Sequence, residues 1–443
     1  MTGRDLDRRR LEELVPSPAR SESPDALARR LADVPADALV DLVLDNGEPW
    51  WRRAACALGL TGRVPDDRAP ELLDLVRDAG ATGEIRAAVL KVLAVPGRPH
   101  SEALLTWLRA QEHAGDKAGH RLETATMPAR ARLADLTAAE RLTVLAADPW
   151  RHRREAGRQG IDELIERNGL PAVLAALGAD SPQRLAARGT TDAARLLGLR
   201  LVHRAGGDVT PSLADPSTRV AREAHDLLAA TSDPAATNGP AVTNDEALLA
   251  IVRERRAGHL WALSVLHRRG HAIRTMWEAL GSPRVRLPDV PSDIREAIVR
   301  RYTPGQHDTD PLWLVEAACL DPAVDADGVE DRLGRATRAL AAADLDPRPP
   351  VPAGEHHGSG RGTYHVIDTD AGPVRVSTLG PYFMVGVSVL GADAAHAGAA
   401  MRTAGFRHID DDLAAVRFER LHVYFFGDRA PLTVGDLLFY WQD

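Results

Sequence analysis

Apolar residues recur along most of the chain at helical spacing. In three segments a polar or proline-bearing opener leads into apolar positions at i, i+4, i+7 and i+8: Trp50, Ala54, Ala57, Leu58; Ile85, Val89, Val92, Leu93; and Val220, Ala224, Leu227, Leu228. That spacing lays one apolar stripe along a helix. An opening Asp caps free N–H groups, and proline in the first turn gives up no helical hydrogen bond. Weaker openers stand at Asp148-Pro149 and Asp180-Ser181-Pro182. Template starts at 45, 80, 148, 180 and 215 give steps of 35, 68, 32 and 35, and a further instance runs from Asp289 to Val299.

From Gly362 the period changes to alternation. Thr363–Asp368, a turn at Asp370-Ala371-Gly372 and Val374–Thr378 predict a β-hairpin, and Tyr382–Val389 a third strand. Asp393–Ala404 predicts a helix closed by Gly405. Phe406–Ile409, Ala415–Phe418 and Leu421–Phe426 predict further strands, with Thr433–Trp441 a short helix or edge strand. All six phenylalanines fall between Phe383 and Phe439, so the aromatic core of this region differs from that of the helical part. Between the two regimes, Asp346–Gly354 is proline-rich and His356–Gly362 glycine-rich, which reads as a linker.

The helical segments (Asp-Asn-Gly-Glu-Pro or Asp-Pro-Ser-Thr openers, then Arg or Val-Ala-Arg, alanines and a late Leu-Gly at Leu58-Gly59) resemble the HEAT family of armadillo-type repeats. The resemblance covers about residues 25–340 and is good for three or four units. It implies stacked helical pairs forming a curved solenoid whose concave surface binds a protein or a nucleic acid. It also implies that an arginine early in each second helix (Arg52, Arg86, Arg222, Arg295) pairs with a carboxylate of a neighbouring repeat. The expected fold is therefore mainly α: a HEAT-like α-solenoid followed by a small C-terminal α+β domain. Residues 1–24 are expected as a disordered or loose arm, 25–344 as the repeat array with a break at 231–244, 345–362 as the linker and 363–443 as the α+β domain.

A net charge of −8 argues against a dedicated nucleic-acid binder, although Trp150-Arg151-His152-Arg153-Arg154 and Arg253–Arg256 supply local positive charge. Only Lys91 and Lys117 are lysines among 55 basic residues, a bias of GC-rich bacterial genomes that lowers the weight of any arginine run. Arg153, Arg154, Arg256 and Trp441 are the candidate binding residues. Two widely separated cysteines, Cys56 and Cys319, fit a reducing compartment, and Cys56 falls on a repeat's apolar side as a buried thiol. The charged N-terminus carries no secretory pattern and no stretch reaches about 18 apolar residues, so a cytoplasmic location without a membrane partner is expected.

Catalytic signatures are weak. His365, Asp368 and Asp370 alternate near one strand end, close to His356 and His357, and Asp410-Asp411-Asp412 offers carboxylates. Metal binding needs such groups to converge, yet the histidine pair sits in the linker and three consecutive aspartates make a solvated turn. Gly358–Gly362 lacks the Lys-Ser/Thr of a phosphate loop. No metal or cofactor is expected. A cytoplasmic protein-binding scaffold or adaptor, of the immunity or neutralising type, is the leading expectation. An enzyme using His365, Asp368 and His422, and a nucleic-acid-binding solenoid, are the alternatives.

Overall fold

The computed structural model describes residues 10–15, 24–111, 120–187, 189–230, 245–303, 310–321, 328–353, 362–386, 392–425 and 428–440. The chain is mainly helical, with a small sheet region toward its C-terminus. It divides into two compact units, Met1–Ala205 and Gly206–Asp443. No helix among the described residues is long and apolar enough to cross a membrane.

The first unit opens with α1 (Pro24–Arg30), α2 (Ala36–Leu44), α3 (Trp50–Gly59), α4 (Ala69–Arg77), α5 (Gly83–Leu93), α6 (Ser101–Gln111) and α7 (His120–Arg132). Its second half contains a 3-10 turn (Leu136–Ala138), α8 (Ala139–Ala146), α9 (Arg151–Asn168), α10 (Leu170–Ala176), α11 (Pro182–Leu185) and α12 (Asp192–Arg204). The hairpins α2–α3 and α4–α5 are built alike. In each, an aspartate just past the first helix folds back on the turn: Asp45 Oδ1 accepts from the Gly47 N–H and Asp78 Oδ1 from the Gly80 N–H, both at 2.8 Å. Such a side-chain turn reverses the chain without a regular hairpin.

A buried arginine of the second helix then satisfies an orphan carbonyl at the end of the first. Arg53 Nε donates to the Val43 carbonyl and Arg86 Nε to the Val76 carbonyl, each at 2.8 Å. Every one of these positions recurs after 33 residues between the two hairpins, two fewer than the expected step of 35. The shift corrects the expected arginine roles. Arg53, not Arg52, is the counterpart of Arg86, and both donate to carbonyls instead of carboxylates. Arg52 pairs with Glu48 of its own turn at 2.8 Å and Arg222 with Asp226 at 3.1 Å. Arg295 does reach a carboxylate of the following helix, Glu316, at 2.6 and 2.7 Å. The two-residue shift also turns Trp50 outward, to 44% exposure, while Ala55 and Cys56 take the core face.

Successive second helices touch, α3 on α5, α5 on α7 and α7 on α9. Residues 10–14 are helical, and Leu11 and Val15 are fully buried in the same core as α1–α5. The expected loose arm is therefore corrected for its described part, 10–15, which is anchored by apolar burial. Farther along, α8 and α9 approach so closely that a Cβ at Gly157 would lie 2.2 Å from the Ala146 nitrogen, and one at Gly160 would lie 2.3 Å from a Leu142 methyl. Just past the end of α7, Asp135 is buried with Arg130, whose Nε donates to it at 2.7 Å, while Arg109 Nη2 donates from α6 at 2.8 Å. Burial alone would raise this carboxyl; hydrogen bonds from Arg109, Thr137 and Arg130 outweigh it and hold it at about 2.

The second unit starts with a 3-10 turn (Thr210–Ala214), α13 (Thr218–Ala230), α14 (Asp245–Arg253), α15 (His259–Arg268), α16 (Arg274–Ala279), α17 (Ser292–Tyr302), α18 (Pro311–Cys319) and α19 (Val329–Ala341). Its sheet region comprises β1 (Tyr364–Thr369), β2 (Gly372–Ser377), β3 (Tyr382–Val385), α20 (Ala392–Thr403), β4 (Arg407–His408), α21 (Asp411–Ala414), β5 (Arg417–Phe425), β6 (Asp428–Thr433) and α22 (Val434–Leu438). The four-stranded sheet runs β1-β2-β3-β4, antiparallel except for the parallel β3-β4 pair, and β5-β6 is a separate antiparallel pair. The expected hairpin, third strand and helix are all present, whereas the two strands expected within 415–426 are one.

The sheet buries both faces, in cores shared with helices on the N-terminal side of the expected boundary at 344/345. On one face Tyr364, Val366 and Tyr382 share a core with Ile294, Ile298, Tyr302 and Trp313 of α17 and α18. On the other, Ile367, Val374, Val376 and Phe383 pack on Ala336 and Leu340 of α19 and on Ala397 and Met401 of α20. Helices assigned to the repeat array thus complete the sheet's core. The described part of the expected linker is part of the fold as well. Leu345 is buried, Arg348 N–H donates to the Asp368 carbonyl at 2.8 Å, and Val351 bridges Val366 beside β1. Prolines in that segment suit it to a sheet edge, where a missing donor costs little. The expected break at 231–244 lies outside the described residues, as do His356 and His357.

Candidate functional site

The residues expected to form a catalytic group in the sheet region do not meet. His365 and Asp368 are an odd number of positions apart on β1, so the pleat points them to opposite faces. His365 shares the face of Ile367 and Val376, where its Nδ1 accepts the Ala353 N–H at 3.1 Å. The ring proton is then on Nε2, which is buried without a hydrogen-bond partner. Burial, aided by Arg332, lowers this imidazole's pKa. His422 belongs to the other strand pair, opposite Pro431. Among the described residues no group of three His, Cys, Asp or Glu side chains is placed to hold a metal. Cys56 is buried, and burial reinforced by Glu48 pushes its thiol up to about 12, far from a reactive thiolate.

A Ser–His–Asp chain does occur at residues that no motif in the sequence marks. His225 Nδ1 lies 2.9 Å from Asp226 Oδ1, and His225 Nε2 lies 3.0 Å from Ser264 Oγ. The carboxylate requires the proton on Nδ1, so Nε2 accepts from the serine hydroxyl, which is the order of a nucleophile–base–carboxylate relay. Burial decides against chemistry. His225 is 1% and Ser264 5% exposed, and the Trp261 ring closes on the imidazole at 5.5 Å. The chain is a polar latch between α13 and α15.

An open combination of apolar and charged groups lies in the first unit. A groove of about 440 Å³ opens between α7, the 3-10 turn, α8 and the start of α9. Met127 and Leu145, both buried, form its floor, and Val144, 60% exposed, one wall. Thr137, Glu140, Arg141, Asp148 and Arg153 complete the lining. α8 buries Ala139, Leu142, Leu145 and Ala146, which leaves Glu140, Arg141 and Val144 together on its solvent side. Six residues beyond Val144, Trp150 caps the N-terminus of α9 with 41% of its surface exposed. Its N–H is held by Asp148 Oδ1 at 2.8 Å. Among the described residues Trp50, Val144 and Trp150 are the exposed large apolar side chains, so two of them flank one turn.

The candidate binding arginines are placed unequally. Arg153 lines the groove with Nε 3.1 Å from Asp148 Oδ2. Arg154 folds back so that Nη1 donates to the carbonyls of Asp148 and Pro149, both at 3.0 Å. Arg256 belongs to the other unit and pairs with Glu254 at 2.6 Å. Trp441 lies outside the described residues. Val144 and Met127 were missed by sequence reasoning; the readable signal was a branched apolar residue on the polar side of the α8 stripe. No protein-family model, no curated protein and no solved structure matches the chain.

Proposed function

We propose that this is a partner-binding protein whose helical hairpins form a HEAT-like solenoid, and whose groove beside α8 and α9 is the docking site for a protein. The carrying observation is the pair of exposed apolar side chains on either side of one turn: Val144, which lines the groove with the buried Met127 and Leu145, and Trp150, at the start of the next helix. Exposed aromatics beside a pocket are what concentrate binding energy at interfaces. The stacking of α3, α5, α7 and α9 and the 33-residue register support the solenoid reading. The separation of His365 from Asp368 and the sealing of Ser264 take away two groupings on which an enzyme reading would rest.

The test is a photo-crosslinking amino acid placed at Val144 in the full chain, expressed in host cells, with the same group at exposed Glu102 as control. A discrete protein adduct at 144 that disappears with Trp150→Ala is expected. Equal adduct patterns at both positions would remove the docking reading.

A further inference from the structure

We propose that the occupant of this groove is an acidic segment of a protein partner that presents a bulky apolar side chain. The inference rests on the docking reading above and adds the partner's chemistry.

Its first support is charge. Residues 148–158 carry Arg151, Arg153, Arg154 and Arg158 against Asp148 and Glu155, a net of +2 on a chain of −8. Three of those arginines fall in the first turn of the 18-residue α9, which has no acidic residue there and no side-chain cap. A helix N-terminus carries partial positive charge; Asp148 on Arg153 and Glu155 on Arg151 offset part of the local charge, and the net positive remainder favours an anionic group there. Glu155 reports the same field: the Arg151 hydrogen bond, with Arg154 and Arg158 nearby, lowers its carboxyl pKa. The Arg151–Glu155 pair is open to water, with side chains 84% and 57% exposed, and exchanges readily for a partner's carboxylate.

The second support is the apolar half of the same surface. Val144 stands exposed in the groove lined by the buried Met127 and Leu145, and Trp150 is exposed at the next turn, an arrangement that rewards an apolar side chain. A nucleic acid would use the arginines and leave Val144 wet. The chain's overall negative charge also opposes a long polyanion, whereas a short acidic segment meets mainly the local positive field.

The experiment pans a random dodecapeptide display library against the full chain and against the Val144→Asp and Trp150→Ala chains. Val144 faces solvent, so V144D retains the fold, which circular dichroism checks. The expected result is enrichment of peptides with several Asp or Glu residues around an aromatic or Leu. Their affinity should fall about 30-fold with W150A, and about tenfold with Arg151→Glu/Arg154→Glu. Enriched peptides that need Val144 and Trp150 but are neutral or basic would overturn the acidic partner and leave the docking reading standing. Peptides indifferent to both variants, or none, would overturn both. Two further outcomes would also overturn the proposal. One is a fluorescent 20-nucleotide single strand bound tightly by the full chain and lost with R151E/R154E but not V144D, which would point to nucleic acid. The other is a self-association of the chain abolished by V144D, which would point to a second copy.

Discussion

Asp135 offers a test of whether buried ion pairs fasten the hairpins of the first unit. Its carboxylate is 3% exposed and accepts from Arg130, itself 1% exposed, and from Arg109 and Thr137. The drop of its pKa from 3.8 to about 2 corresponds to about 2 kcal/mol of folding free energy. Asp135→Asn removes that and takes a charged partner from the buried Arg130 guanidinium, so the total cost should lie between about 2 and 5 kcal/mol. With a urea slope of about 2–3 kcal/mol/M for a unit of this size, the midpoint should fall by roughly 1–2 M.

The pH dependence separates this mechanism from simple repacking. A depressed carboxyl pKa contributes stability that is complete above about pH 4 and is lost as pH falls through 3.8 toward 2. The gap between wild type and Asp135→Asn should therefore be widest at pH 7 and shrink between pH 4 and 2. The assay is urea unfolding followed by hydrogen exchange of peptides from α6 to α8, which isolates this unit from the other. A gap that is constant from pH 7 to 2.5, or below about 1 kcal/mol throughout, would refute the reasoning.

Two other expectations follow from the packing. Gly157→Ala should destabilise the first unit by about 1–3 kcal/mol in urea, although alanine ordinarily gains about 1 kcal/mol over glycine within a helix. The reason is the 2.2 Å approach of the added Cβ to the Ala146 nitrogen, and an unchanged or raised midpoint would mean that α8 and α9 sit farther apart. In the second unit, burial holds the His225 imidazole below its usual value, with the Asp226 hydrogen bond offsetting part of this. Stability tied to a depressed base is present above its unfolded value of 6.5 and declines as pH falls below it. Thermal unfolding of that unit should thus weaken from pH 7 to 5, and His225→Gln should flatten the slope. An identical slope in the variant would mean the imidazole titrates as freely folded as unfolded.

Helical period and strand alternation were legible because each is a local pattern with a fixed face. The hairpin at Tyr364–Ser377 and the helix ending before Gly405 followed from turn chemistry alone. The repeat register was harder to read. Anchoring on Trp50 aligned the helices by a large apolar residue, whereas the packing aligns them by Asp45/Asp78 and Arg53/Arg86, groups that close the turn and the orphan carbonyl. The linker misled for a related reason. Proline and glycine mark an absence of regular hydrogen bonding, and Leu345 and Val351 gain their places through tertiary burial and edge pairing that no local pattern records.

The same distinction explains which site residues were readable. Arginine runs drew attention by charge, but charge alone does not separate a structural guanidinium from an available one. Arg53 and Arg86 are consumed by carbonyls inside the hairpins, Arg130 by a buried carboxylate, and Arg256 by its neighbour Glu254. Strand parity removes His365 and Asp368 as a pair, since an odd separation cannot place two side chains on one face. What survives is a local contradiction: Val144 on a polar helix face and arginines at the positive end of α9. Departures of this kind concentrate at functional sites because folding does not reward them. Two of them lie on either side of one turn, and the docking proposal for the α8–α9 groove rests on that coincidence and not on any residue chosen for its chemistry.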